Sequence, residues 1–306
     1  MKTDNASNLT ETVPIPGLPL DTKPDPVPAK QQAVEMSSTL SQQWNMKNLG
    51  FRLGADAVSA ACAASMIAPV ISIIDRSIME NTSGRSTLTE SLNVSLRTLL
   101  TRPHTMLFSR PVALIFMLYG GTYLTANTLD TASSTVRSKP ATYVSSGTDK
   151  FTASSAANVG LCIYKDQVYV KLFGPRGPPR PVPLPTYALF TLRDCLTIFA
   201  SFNVPPLLGP VVSERLSAEM RRRVSGETIA QFAAPAAVQL FSTPIHLLGL
   251  DMYNRTTGVS WGDRWALIRK NWLISCAARV CRIVPAFGLG GTVNMKVRKN
   301  LMERLP

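Results

Sequence analysis

The stretch Ser242–Arg255, STPIHLLGLDMYNR, closes a long apolar run with a proline inside it, an aspartate at its end and an arginine four residues further on. A related pattern, APVISIIDRSIME, lies much earlier, at Ala68–Glu80. Charge at the end of a proline-interrupted apolar segment suits a kinked helix crossing a bilayer, where ionisable groups are costly and rare. Two such copies predict a repeat protein in a membrane, with the remaining chain divided by the same unit.

Six apolar stretches fit that expectation: about 53–77, 105–129, 151–172, 185–208, 228–252 and 272–297. Each approaches the length that spans the hydrocarbon core. Small residues in ADAVSAACAAS suit close helix packing in lipid. The segments between them alternate in character. Leu88, Leu92, Leu96, Leu99 and Leu100 fall on one helical face, and so do Trp261, Trp265, Ile268 and Trp272, led by Ser260 and Asp263 as a capping pair. Tryptophans at a span's edge fit the aromatic belt of a membrane interface. The corresponding middle stretch, GPRGPPRPVPLP at 174–185, is too rich in proline for a helix. Pro111, Pro235, Pro244 and Pro285 are expected to kink helices, and Gly120, Gly121, Gly290 and Gly291 to allow close helix approach.

The expected fold class is therefore all-α, with six transmembrane helices in three tandem two-helix repeats at about 50–131, 150–210 and 226–300. Tyr119-Gly120-Gly121-Thr122 resembles Leu289-Gly290-Gly291-Thr292, and the two Gly-Gly-Thr copies lie 170 residues apart, two units of about 85. One unit on from Gly120 falls at Pro205, where Val204-Pro205-Pro206 breaks the fourth stretch. Residues 1–45 are rich in Pro, Ser, Thr and Gln and cannot bury enough apolar surface to offset chain entropy, so a disordered tail is expected there. The tail has no arginine and carries Asp4, Glu11, Asp21, Asp25 and Glu35, unlike a mitochondrial presequence.

The chain is basic, with a net charge of +13, yet its cations are scattered at the ends of apolar segments and form no stripe with exposed aromatics. No nucleic-acid partner is expected; an anionic membrane lipid of the cardiolipin kind fits the distribution better. Cys62, Cys162, Cys195, Cys276 and Cys281 all lie in apolar runs without CxxC spacing, and read as buried free thiols with no metal. GxSxG, P-loop and HExxH motifs are absent, and only His104 and His246 are histidines, so no enzyme and no cofactor is expected.

This organisation resembles the mitochondrial carrier family, in which three repeats each join two transmembrane helices through an amphipathic matrix helix. The resemblance covers about residues 50–300 and is that of a divergent, fungal-type member. The family's odd-numbered helices carry Pro-x-Asp/Glu-x-x-Lys/Arg, whereas here the acid lies six residues after Pro69 and seven after Pro244. The resemblance implies a multi-pass protein of the mitochondrial inner membrane that moves a small charged or zwitterionic solute by alternating access. It also implies solute-binding side chains on the even-numbered helices: Arg193 and Asp194 as an adjacent pair, with Arg279 and Arg282 on the sixth span. Arg193 and Asp194 also suit a pair that satisfies itself. Asp75, Arg76, Lys165, Asp166, Lys171, Asp251 and Arg255 sit at matching ends of the odd-numbered spans. They form either a gate network between repeats or solvated helix-end charges. A reading from a different class is a carrier-derived membrane adaptor or assembly factor that no longer transports, with a protein partner the sequence does not name.

Overall fold

Leu49–Thr82 forms one helix of 34 residues (α1), about 51 Å long at 1.5 Å per residue. Its body is Ala, Ser and Ile, with Pro69 inside. Hydroxyls that would otherwise be stranded on an apolar helix turn back onto the preceding turn: Ser77 Oγ donates to the Ile73 carbonyl and Thr82 Oγ1 to that of Ile78, both at 2.8 Å. This computed structural model describes residues 44–305, apart from 146, 176, 177, 179, 203, 256 and 257. The expected tail at 1–45 falls almost wholly outside the described residues.

The chain continues through α2 (Leu88–Thr101), a single turn α3 (Pro103–Leu107), α4 (Arg110–Val136), α5 (Thr148–Phe173), α6 (Leu184–Phe202), α7 (Val204–Arg215) and α8 (Ala218–Arg223). It ends in α9 (Gly226–Asn254), α10 (Trp261–Cys281), a π-helical segment at Val284–Gly290 and α11 (Gly291–Glu303). Every regular element among the described residues is helical. Among the described residues, three helices are long and apolar enough to cross a membrane: Leu49–Thr82, Arg110–Val136 and Thr228–Asn254. Local signals account for several boundaries. Thr87 and Glu90 close a capping box on α2, and the Ser260 hydroxyl accepts the Asp263 N–H at the start of α10. α6 ends at Phe202 and the helix resumes at Val204, beside the proline pair expected to interrupt it.

α1 packs on α4 and α11, α4 on α5, and α9 on α6 and α7. The core they share is built around Ile67, Ile71, Ile115, Tyr169, Phe190 and Leu250. Tyr169 is fully buried and its hydroxyl reaches both Ser72 Oγ (3.2 Å) and the Pro111 carbonyl (3.1 Å), joining α1, α4 and α5.

Four local expectations are corrected. Pro111 lies in the first turn of α4, where a missing N–H costs nothing, so it starts the helix and does not kink it. The Trp-rich segment runs into the following stretch as one helix, because nothing between Gly262 and Cys281 stops it; Trp261 and Trp265 face outward. Cys62, Cys195 and Cys281 are exposed on the outside of the bundle, and only Cys162 and Cys276 are buried. Gly291 has open space where a side chain would sit. By contrast, a Cβ on Gly121 would come within 2.6 Å of Leu161, and one on Gly290 within 2.5 Å of the Tyr123 hydroxyl. The same Tyr123 hydroxyl donates to the Ala286 carbonyl at 2.8 Å, inside the π-helical segment.

Candidate functional site

A single ion network runs through the interior and gathers residues that the sequence placed in two separate sets. Arg282, just past the end of α10, reaches Asp75 of α1 at 2.7 Å. Asp75 accepts from Lys165 of α5 at 2.9 Å, and Lys165 lies 2.7 Å from the neighbouring Asp166. Asp166 pairs with Arg193 of α6 at 2.7 Å, and Arg193 with Asp194 at 2.6 Å. Apart from the half-buried Arg282, every member is buried. Three of the four candidate solute residues, Arg193, Asp194 and Arg282, and part of the candidate gate are thus one contiguous structure.

The geometry follows from the helices. Lys165-Asp166 sits on α5 where the chain faces both α1 and α6, so the two charges look to opposite neighbours. Arg193 is over-determined: besides its two carboxylates it lies 3.3 Å from Cys162 Sγ and 3.0 Å from His246 Nδ1 on α9, and it sits over the Phe190 ring. Because arginine offers only donors, His246 Nδ1 is the acceptor in that contact and its proton is on Nε2. Cys162, Asp166 and Asp194 bring ligand-type atoms within 4.8 Å of one another, a spacing that suits a metal ion. The cation that meets these groups is the Arg193 guanidinium, so their negative charge is already answered.

Arg279 stands apart. It is 1% exposed and its Nε donates to the neutral amide of Gln239 on α9 at 2.8 Å. Among the described residues no carboxylate pairs with it, and its Nη2 has no hydrogen-bond partner. Asp194 Oδ2 is likewise unpartnered. Asp75, Lys165, Arg193, His246, Arg279 and Arg282 line one narrow crevice with Ile78 and Met79.

The other gate candidates lie elsewhere. Asp251 at the end of α9 pairs with Arg255 and with Arg264 of α10, both at 2.5 Å. Arg76 pairs within its own helix with Glu80 at 2.8 Å, and Glu80 accepts from Ser91 of α2 at 2.5 Å. Lys171 is exposed.

A second buried polar cluster escaped the sequence reading. Arg298 of α11 reaches Asp56 of α1 at 2.7 Å, and Thr131 of α4 donates to the same carboxylate at 2.6 Å. Arg52 donates to the Thr131 carbonyl and to Ser134 Oγ. One turn away, Asn127 and Asn294 exchange amide hydrogen bonds at 2.9 and 3.0 Å. Nineteen residues of α1 separate Asp56 from Asp75, about 28 Å along the helix. Each end of α1 therefore carries a buried carboxylate bonded to the chain's last helical stretch. Arg52 and Asp56, four residues apart at the head of an apolar run, were the available signal.

The family comparison bears directly on this arrangement. A family model described as a probable citrulline exporter matches residues 59–302, which include all of the ion network. The chain belongs to that family. No curated protein matches it. Family membership and the apolar helices together make this a membrane-embedded protein of a transporter type. In a membrane protein, buried charges on facing helices point to the bundle interior or to a water-filled cavity.

Proposed function

We propose that this chain exports citrulline, or a closely related zwitterionic amino acid, across the mitochondrial inner membrane by alternating access. It acts as a carrier and catalyses no reaction. The observation that carries the reading is the buried ion network, set in a chain of the exporter family. Taking ions out of water costs several kcal/mol each, and apolar packing of the same volume would hold helices together at least as well. A network of three cations and three carboxylates at this depth, with a further arginine, Arg279, buried beside it, is hard to explain by stability alone. It is well suited to binding a solute that carries both charges.

Three further features support a carrier-like architecture of six spans in three repeats. Besides the three helices of clear spanning character, α5, the α6–α7 pair and α10 with its π-helical continuation are the segments that would serve as the other three spans. α5 is less apolar because it carries Lys165 and Asp166, and both are buried. The Asp75–Lys165 and Asp75–Arg282 pairs join the first proposed repeat to the second and third. Outward-facing tryptophans at the head of α10 and scattered basic residues at helix ends favour an anionic lipid such as cardiolipin.

The test is exchange of labelled L-citrulline by the purified chain in liposomes containing cardiolipin, with Arg193→Ala and Arg282→Ala in parallel. Uptake by the wild type, reduced at least tenfold in Arg193→Ala, is the expected result. Folded protein that moves no amino acid overturns the exporter reading and favours a non-transporting membrane adaptor. Protease protection in mitoplasts tests the location and topology.

A further inference from the structure

The buried charges of the interior do not all answer one another, and the excess is localised. Arg193 and Arg282 each engage carboxylates, and Lys165 engages two. Arg279 engages none among the described residues, although it is buried to 1% exposure. Its Nε is held by Gln239, which fixes the plane of the guanidinium, and Gln239 Oε1 also accepts from Ser242 at 3.1 Å. That leaves Nη2 as an oriented donor with nothing to donate to. A buried, held, unpartnered guanidinium is a site for an anion, and a planar fork matches a carboxylate best.

The complementary vacancy is on Asp194. One carboxylate oxygen is taken by Arg193 and by the Cys162 thiol; the other, Oδ2, has no donor. A buried carboxylate oxygen without a donor carries a desolvation cost that an ammonium group would remove. Asp194 is within coulombic range of Arg279. One free donor on a buried cation and one free acceptor on a buried anion offer partners for the two poles of an α-amino acid.

We propose that the solute's α-carboxylate docks on Arg279 Nη2 and its α-ammonium on Asp194 Oδ2, while Arg193 and Arg282 act as fixed counter-ions that do not touch it. This assignment rests on the exporter reading above and sharpens it: recognition is of the amino-acid head group, pole by pole. It also divides the four even-helix residues into two that bind and two that position. A site built to hydrogen-bond a group rejects analogues lacking that group far more strongly than it rejects a change in apolar size.

The experiment measures binding of three compounds to the full chain in lipid nanodiscs by displacement of labelled L-citrulline or by direct calorimetry. They are L-citrulline, its des-amino analogue (ureidopentanoate) and its decarboxylated analogue (ureidobutylamine). Wild-type protein should prefer citrulline over each analogue at least tenfold. Asp194→Asn should lose the preference over ureidopentanoate and keep the one over ureidobutylamine; Arg279→Gln should do the reverse. Melting temperature without ligand checks that each variant is folded, with Asp194→Glu and Arg279→Lys as replacements for one that is not. A folded variant that keeps the preference it should lose, or that binds none of the three, overturns the assignment, as does a wild type that ignores either pole. Citrulline transport without this pattern sinks the pole assignment alone. The pattern without transport in liposomes sinks the exporter reading and leaves the binding site in place.

Discussion

Lys165 Nζ lies 2.9 Å from Asp75 Oδ2 and 2.7 Å from Asp166 Oδ1, so one buried ammonium binds α1 to α5 and neutralises part of two carboxylates. Lys165→Met removes that charge and leaves Asp166 with Arg193 alone. Breaking a buried ion pair from one side costs about 3–5 kcal/mol, and a loss of that order is expected in thermal unfolding of the detergent-solubilised protein. Exchanging the two residues, Asp75→Lys with Lys165→Asp, should not restore stability, because Arg282 then faces a cation and Asp166 an anion. Full rescue by the exchange would show that the pair is isolated from its neighbours.

Asp56→Asn and Arg298→Met each strand a buried partner at the other end of α1. Each should destabilise by about 3 kcal/mol or more. The double variant should cost clearly less than the sum, with a coupling of roughly 0.5–3 kcal/mol, because the two groups satisfy each other. Additive effects in the unfolding midpoint would mean that Thr131 and Arg52, and not the Asp56–Arg298 pair, hold this end together.

The approach of α4 to the last helical stretch depends on Gly290. A methyl group there would lie 2.5 Å from the Tyr123 hydroxyl and 3.0 Å from Ile67 Cδ1. Gly290→Ala is expected to destabilise by about 1–3 kcal/mol through overpacking. Adding Tyr123→Phe removes the closest obstruction, so the alanine should cost less in that background, even though the hydroxyl's bond to the Ala286 carbonyl is lost. Equal costs in both backgrounds would show that Ile67 sets the limit.

Thiol labelling reads the outward-facing surface. In the folded, detergent-solubilised protein a small lipophilic maleimide should modify Cys62, Cys195 and Cys281, while Cys162 and Cys276 react only after denaturation. In liposomes a charged, membrane-impermeant maleimide should miss Cys62 and Cys195, which lie well inside α1 and α6. Mass spectrometry of the labelled peptides decides both outcomes.

What the sequence made legible was charge interrupting apolar runs. Asp75, Lys165, Asp166, Arg193 and Asp194 stand out because hydrophobic neighbours surround them, and these are the residues that meet in the interior. Their partners were less legible. Which cation answers Asp75 depends on how helices far apart in sequence pack, and Arg282 comes from 207 residues away. Gln239, Asn127 and Asn294 are neutral amides inside helices, with no pattern to separate a buried hydrogen-bond partner from a surface residue. Arg298 sits in NMKVRKN, a polar stretch at the end of the sixth apolar run, yet it is 4% exposed against Asp56. The Trp-rich segment was read as a separate connector because its apolar face is amphipathic; continuity with the rest of α10 is a matter of what fails to stop a helix.

The π-helical segment at Val284–Gly290 sets the rotational phase of the last helical stretch. Arg282 and Arg298 are sixteen residues apart, and at 3.6 residues per turn an unbroken α-helix would point them about 160° away from each other. Both nevertheless reach carboxylates on the same helix, α1. Each i→i+5 turn takes up nearly one residue more than an α turn, so seven residues wound this way turn the following segment back by roughly a third of a revolution. The wider winding thus acts as an angular spacer that lets one helix present arginines to both ends of α1. Deleting a single residue within 284–290 would shift the angle by roughly a quarter turn. Either Arg282 or Arg298 would then swing off its aspartate, and the bonding of α1 to the last helix at one end would be lost while the other end kept its register.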